Sequence, residues 1–210
     1  MKPLKPVIIA WEYPPRIIGE MAHHLDRLSL ELSKANTSVT IVTCHDRPYS
    51  HEKRFEHLDV YWASNPVNPH ISVITWCLTL NTEVERIIAN IFYARHGKID
   101  LIDIHDWHFV SAGVSLKKAL SLPFVFTIHS LEDQRSRDPN SPLSSCIRGI
   151  ERIGTRESGF VITKSDSMKE EIMRIHETPS EKIIVIPPEE QDWITETIKT
   201  YRRAASHPGE

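Results

Sequence analysis

The fold is decided by one stretch of the sequence, Leu101-Ile102-Asp103-Ile104-His105-Asp106-Trp107-His108. Its first half is a short apolar run, which is typical of a strand covered on both faces of a parallel sheet. Its second half is polar and aromatic, and a helical pattern follows it. Open α/β sheets bind their ligands in the crevice beyond the carboxyl ends of the strands. We therefore expect residues 105–108 to lie in such a crevice.

Similar apolar runs alternate with helical patterns along almost the whole chain. The alternation predicts crossover helices between parallel strands, and so a three-layer α/β/α, doubly wound, mostly parallel sheet of about seven strands. Segments 47–56 and 130–142 are polar and are predicted to be loops, the second one mobile. The predicted strands span 7–10, 38–44, 58–63, 101–104, 123–128, 159–163 and 183–186. The predicted helices span 20–34, 71–95, a stretch after 108, 144–157, a stretch capped by Ser167 with Glu170, and 192–204.

Composition narrows the class of protein. The formal net charge of the 210 residues is −3 and there is no long basic run, which argues against a nucleic-acid partner. Three scattered cysteines, Cys44, Cys77 and Cys146, are typical of reduced thiols. No signal-peptide pattern opens the chain, and the apolar stretch 71–80 is too short to span a bilayer. We expect a cytoplasmic protein that does not bind membranes.

Four blocks, in the same order and spacing, resemble GT-B glycosyltransferases of the glycogen/starch synthase type. They cover residues 7–187. The blocks are Trp11-Glu12-Tyr13-Pro14-Pro15 with Gly19, His105-Asp106-Trp107-His108 with Ala112-Gly113, Phe126-Thr127-Ile128-His129-Ser130-Leu131, and Thr163-Lys164-Ser165 continuing through Met168 to Ile186-Pro187.

The resemblance implies half of a two-domain enzyme. Residues 1–187 resemble the Rossmann-like N-terminal domain, which holds the acceptor in that family. Residues 188–210 resemble the family's crossing helix and are expected to pack on the same domain, while the C-terminal donor domain has no counterpart in the sequence. The first loop also departs from the family, because Gly19-Glu20 stands where two glycines are common. Glu20 would compete with a bound phosphate.

The implied activity is transfer of glucose from ADP- or UDP-glucose to an α-1,4-glucan or maltooligosaccharide, with retention of configuration. It needs no cofactor. We expect the chain alone to be inactive without a separate donor-binding domain, because most of the family's donor-side groups are absent from it. A different class stays open, namely a non-catalytic carbohydrate-binding or regulatory module, or one partner of a split glycosyltransferase.

The resemblance assigns site residues around the second and third blocks. It makes His108 the catalytic candidate, close to the transferred sugar, and an imidazole can hydrogen bond to a hydroxyl or a carbonyl. Asp106, Trp107 and His129 are predicted to bind substrate. Asp106 has two interpretations, either holding Trp107 and its loop in place or capping the following helix, and we favour the cap.

The first loop supplies the other predicted substrate-binding residues. Tyr13 and Pro15 either line a sugar-binding wall or give the loop a rigid shape. Arg16 either binds a phosphate or a carboxylate across the domain cleft, or is a solvated charge, which we favour. Gly19 allows backbone N–H groups to approach a substrate or phosphate.

Histidines are frequent enough to raise the question of a metal. His105 and His108 are close in sequence, and His23-His24 adds two more imidazoles. Zinc sites need three or four convergent ligands, and no cysteine or carboxylate set completes one here. We predict no metal site from the sequence.

Overall fold

The protein is described by a computed structural model that covers residues 3–45 and 49–206. Its centre is a single eight-stranded sheet with strand order β3-β4-β2-β1-β5-β6-β7-β8. The strands are β1 Pro6–Ile9, β2 Val39–Cys44, β3 Ser50–Phe55, β4 Leu58–Ala63, β5 Leu101–His105, β6 Phe124–Ile128, β7 Phe160–Thr163 and β8 Ile183–Val185. The helices are α1 Glu20–Lys34, α2 Val73–Ala94, α3 Val110–Leu120, α4 Glu132–Arg135, α5 Pro142–Glu157, α6 Asp166–His176 and α7 Trp193–Ser206.

Helices cover both faces of the sheet, which confirms the predicted three-layer, doubly wound fold. One apolar cluster joins the sheet to α2, α3 and α6 through residues such as Val84, Leu116 and Ile172. The other joins its opposite face to α1 and α7 through residues such as Leu25 and Tyr201. The burial of apolar surface in these two clusters is what stabilises the layers.

The extra strand, β3, lies in a segment that was predicted to be a loop, and that prediction is wrong. β3 pairs antiparallel with β4 at the sheet edge, while the other strand pairs formed by the described residues are parallel. Its side chains are mostly exposed, so no apolar alternation marks it in the sequence. Backbone hydrogen bonds to β4 hold it instead. Residues 47 and 48 of the same predicted loop lie outside the described ranges.

Two further local predictions need correction. The segment 130–142 is not entirely loop, because it contains α4, and Arg135 in that helix donates hydrogen bonds to Ser130 and Glu151. Helix α6 begins two residues earlier than predicted, since Ser165 rather than Ser167 is the N-cap and accepts a hydrogen bond from Met168 N.

The strand order sets the position of the crevice. β1 lies between β2 and β5, so the chain winds outward from β1 in both directions. Where the strand order changes direction in this way, the loops at the carboxyl ends of the two neighbouring strands, here β1 and β5, diverge and leave a crevice between them. In the part of the chain that is described, no helix has the length and apolar composition to cross a membrane.

Candidate active site

A cavity of about 560 Å³ opens at the carboxyl ends of β1, β5, β6 and β7. The loop after β1 and the turn after β5 form one wall, and the carboxyl ends of β5, β6 and β7 form the floor. The first turns of α7 close the opposite side through Trp193, Thr197 and Tyr201. Its size falls within the range of small-molecule binding pockets. The crevice predicted from residues 101–108 is therefore present, and residues 105–108 line it.

His108 sits in a stack of aromatic rings on the cavity wall. Its ring lies parallel to that of Trp11, with centroids 4.4 Å apart and an interplanar angle of 5°, and it stacks on Trp107 at 4.2 Å. Burial, together with the charges of Arg135 and Arg16, lowers the pKa of His108 to about 3. The ring is therefore neutral near pH 7. A neutral imidazole can exchange hydrogen bonds with a hydroxyl, but it cannot supply a fixed positive charge.

The backbone at His108 is held by Asn81 of α2, a residue that the sequence argument missed. The Asn81 side-chain amide donates to the carbonyl oxygen of His108 at 2.8 Å, and its oxygen accepts from Ala112 N at 2.8 Å. Both contacts are buried. The signal in the sequence is a polar residue on the apolar face of α2, between Leu80 and Val84. What that residue touches is set by the packing of α2 against the turn after β5.

Asp106 does not cap the following helix, so the favoured interpretation is wrong. Its side chain makes no capping hydrogen bond. Instead, Oδ1 accepts from the backbone N–H of His129 at 2.8 Å, and more weakly from Ser130 at 3.5 Å. Burial raises the pKa of Asp106 to about 6, although Arg135 and these two N–H groups oppose the shift. Asp106 thus ties the end of β5 to the end of β6.

The first loop is closed on itself by Glu12. One oxygen of its buried carboxylate accepts from Ile18 N at 2.6 Å and from Gly19 N at 2.7 Å. These are the backbone donors that we expected to approach a phosphate. Glu20, which the sequence marked as the competitor, is exposed at the first turn of α1 and lines the cavity. The carboxylate that occupies the loop is Glu12, which was not among the predicted site residues.

Three predicted residues of the first loop do not line the cavity. Tyr13 is fully buried and shares a hydrogen bond of 2.9 Å with Ser29, so it shapes the loop rather than forming a sugar wall. Pro15 is exposed outside the cavity. The Arg16 guanidinium lies 5.0 Å from the centroid of the Trp11 ring. Arg16 is partly exposed and does not line the cavity, and its guanidinium makes a cation–π contact with Trp11.

The cavity floor carries a chain of hydrogen bonds that the sequence did not reveal. His105 Nδ1 and His129 Nε2 share a hydrogen bond of 2.7 Å, and His105 Nε2 lies 3.2 Å from the Asp103 carboxylate. The hydroxyl of Tyr201, on α7, donates to the same carboxylate. His129, which was predicted to bind substrate, lines the cavity. Asp103 is marked in the sequence by its charge within an apolar strand, whereas nothing in the sequence links it to Tyr201.

The family model and the relatives that match this chain all point to glycosyltransferases. The pattern of Glycosyltransferase Family 4 matches residues 21–188. An uncharacterized glycosyltransferase of Methanocaldococcus jannaschii is 35% identical over 186 residues, covering 87% of this chain and 45% of the relative. The glycogen synthase of Mycobacterium tuberculosis is 28% identical over 193 residues, covering 86% and 47%. This chain spans about half the length of these two relatives.

Solved structures agree with the fold. Sucrose-phosphate synthase from Thermosynechococcus elongatus superimposes with a TM-score of 0.69 at 16% identity, covering 87% of this chain and 48% of that one. A two-segment piece of the same protein gives a TM-score of 0.66 at 15% identity, and the match covers 95% of this chain and 98% of the piece. At these identities the likeness concerns the fold.

Proposed function

Because this chain belongs to glycosyltransferase family 4, we propose that it is the acceptor-side half of a retaining glucosyltransferase that elongates an α-1,4-glucan from ADP- or UDP-glucose. We assign residues 1–187 to the acceptor domain and residues 188–210 to the terminal segment, whose helix α7 (Trp193–Ser206) packs on that domain. The single observation that carries the proposal is the stack of Trp11, His108 and Trp107 at the cavity wall. A neutral imidazole held between two indoles suits sugar hydroxyl groups, with which its ring nitrogens can exchange hydrogen bonds.

Two findings support the choice of substrate class and of domain. A relative that aligns over 86% of this chain is named a glycogen synthase. The match to the two-segment piece of sucrose-phosphate synthase covers 95% of this chain and 98% of that piece, which supports the assignment of a domain with a terminal helix. α7 packs with α1 and places Tyr201 against Asp103. The terminal helix is therefore expected to stabilise the cavity as well as the domain.

Binding of the acceptor is tested with the protein's own fluorescence. Trp11, Trp107 and Trp193 line the cavity, so maltoheptaose should change the emission in a saturable way. Trp11→Leu should weaken this binding. The matched control is Tyr93→Leu, because Tyr93 is an aromatic residue that is 68% exposed on α2 and does not line the cavity. Equal affinities of wild type and both variants would contradict the proposal.

Turnover is tested with labelled ADP-glucose and UDP-glucose. The 210 residues alone should transfer no glucose, because transition-state stabilisation depends on groups arranged around the developing charge. Adding a separately produced donor-binding half of a relative should restore transfer. Rates near those of a full-length enzyme from these 210 residues alone would show that the half-site interpretation is wrong.

One observation favours the non-catalytic alternative. Glu12 already occupies the N–H groups of Ile18 and Gly19, so the first loop offers no free donors there to a phosphate. A protein that binds maltoheptaose, yet stays inactive with every added donor half, would be a carbohydrate-binding module.

Ile17 and Ile18 are about half exposed on the same loop. Such apolar side chains suit a docking partner, as the split-enzyme alternative requires.

A further inference from the structure

The histidines on the cavity floor form a cluster that the sequence does not bring together. His24, on α1, lies with its ring centroid 5.0 Å from that of His129 and 6.2 Å from that of His105. One ring nitrogen from each of the three histidines lies within 4.8 Å of the other two. The three residues come from α1, from the end of β5 and from just beyond the end of β6. Their convergence is therefore a product of the parallel sheet.

We propose that His24, His105 and His129 bind one transition-metal ion of the Zn²⁺ type. Zinc–imidazole bonds of about 2.0–2.1 Å place the nitrogens of a tetrahedral site about 3.3 Å apart. The 2.7 Å between His105 Nδ1 and His129 Nε2 would lengthen by roughly 0.6 Å to reach that separation, and His24 would move closer. Three protein ligands leave the fourth position of the ion open to the cavity.

The hydrogen bonds of the cluster leave a ring nitrogen of His105 available to a metal ion. Asp103 accepts the Nε2 proton of His105, so His105 Nδ1 carries a lone pair. Neutral imidazole is the form that binds metal. His129 can bind through Nε2 once its proton sits on Nδ1.

The surroundings of His105 resemble those of a histidine that ligates a metal ion. A metal-binding histidine usually donates its other N–H to a carboxylate, which fixes the ring and strengthens the donor. Asp103 does this here, and it is itself held by Thr127 Oγ1 at 2.8 Å and by Tyr201. The positive charge of Lys164, which lines the cavity, opposes a bound cation, and the negative charge of the Asp103 carboxylate offsets it. From the sequence we weighed His105 with His108 and His23 with His24, and predicted no metal site; the tertiary structure brings His129 to His24 and His105 instead.

The ion is not a part of the glucosyl transfer proposed above, and its binding is measured without sugar. Calorimetric titration of the metal-free protein with Zn²⁺ should show one ion per chain, and Co²⁺ should give the visible absorption of a tetrahedral site. His24→Gln should weaken Zn²⁺ binding by about 100-fold or more, since loss of an outer partner alone costs 10- to 100-fold. His129→Gln should weaken Zn²⁺ binding by a similar factor. Because two ligands are tested separately, a folding defect in one variant does not remove the test.

Two controls test whether the binding belongs to this cluster. His23→Gln changes the exposed neighbour of His24 on the same helix, and Cys146→Ser removes an exposed thiol. Both should bind Zn²⁺ as the wild type does. The site is overturned if wild type binds no Zn²⁺ at micromolar concentrations, if His24→Gln retains full affinity, or if either control loses affinity. None of these outcomes depends on maltoheptaose binding or on glucose transfer.

Discussion

Two glycines on α5, Gly149 and Gly154, allow the packing of this helix against β6 to be tested. Gly149 is exposed, and a Cβ added there would have no neighbour within 4 Å. A Cβ added at Gly154 would lie 2.7 Å from Cε1 of Phe126 and within 3.0 Å of two further ring atoms. Phe126 is 1% exposed in β6, three residues before His129. The same substitution therefore meets open space at one position and a buried ring at the other.

The expected free energies follow from two opposing effects. Replacing glycine by alanine within a helix gains about 1 kcal/mol, and Gly149→Ala should be more stable than wild type by roughly that amount. Gly154→Ala gains the same helix propensity but overpacks the core, which costs about 1–3 kcal/mol. Its net effect should range from about zero to 2 kcal/mol of destabilisation. The two variants should thus differ by about 1–3 kcal/mol in the free energy of unfolding.

Urea denaturation followed by circular dichroism measures the difference, with the slope of the transition checked for each variant. Thermal unfolding gives a second readout, since 1 kcal/mol corresponds to roughly 2–4 °C in a domain of this size. Equal stabilisation by Gly154→Ala and Gly149→Ala would refute the reasoning. It would mean that α5 moves away from β6 at little cost, and that the ring of Phe126 does not fix their separation.

The remaining predictions concern the polar groups around the cavity. Tyr201→Phe removes the hydroxyl that donates to the buried Asp103 carboxylate and should lower the free energy of unfolding by about 1.5–3 kcal/mol in urea denaturation. Asn81→Leu leaves the backbone groups of His108 and Ala112 without their partner and should cost about 2 kcal/mol or more. Since the pKa of His108 falls to about 3 in the folded protein, the unfolded chain binds more protons below pH 6.5, and stability is lost as the pH falls. Between pH 7 and pH 5 the free energy of unfolding should therefore fall by about 2 kcal/mol less in His108→Gln than in wild type. Urea denaturation at both pH values measures this difference, and an equal fall in the two proteins would contradict the prediction.

Much of the fold was predictable because its signals are local. The apolar runs at 101–104 and 123–128 give β5 and β6 nearly to the residue. The spacing of Met21, Leu25, Leu28 and Leu32 predicts α1 with the bounds that the structure has. Buried parallel strands and amphipathic helices leave strong patterns, since one is apolar throughout and the other is apolar every three or four residues.

The failures have a common physical reason. β3 was missed because an exposed edge strand is held by backbone hydrogen bonds, which leave little trace in side-chain pattern. Asp106 was misassigned because an aspartate before a helix fits a cap equally well, and only the position of β6 shows that it binds His129 N. Glu12 was missed because a carboxylate folding back onto Ile18 and Gly19 depends on the path of the loop.

The sequence by itself determined the fold class, the place of the cavity and the glycosyltransferase family, because apolar periodicity and short motifs are properties of neighbouring residues. The tertiary structure alone decided which polar groups meet. Asp103 and Tyr201 are 98 residues apart and share a hydrogen bond, and His24 joins His105 and His129 across three elements. These contacts depend on strand order and helix packing, which bring distant residues to the same edge of the sheet.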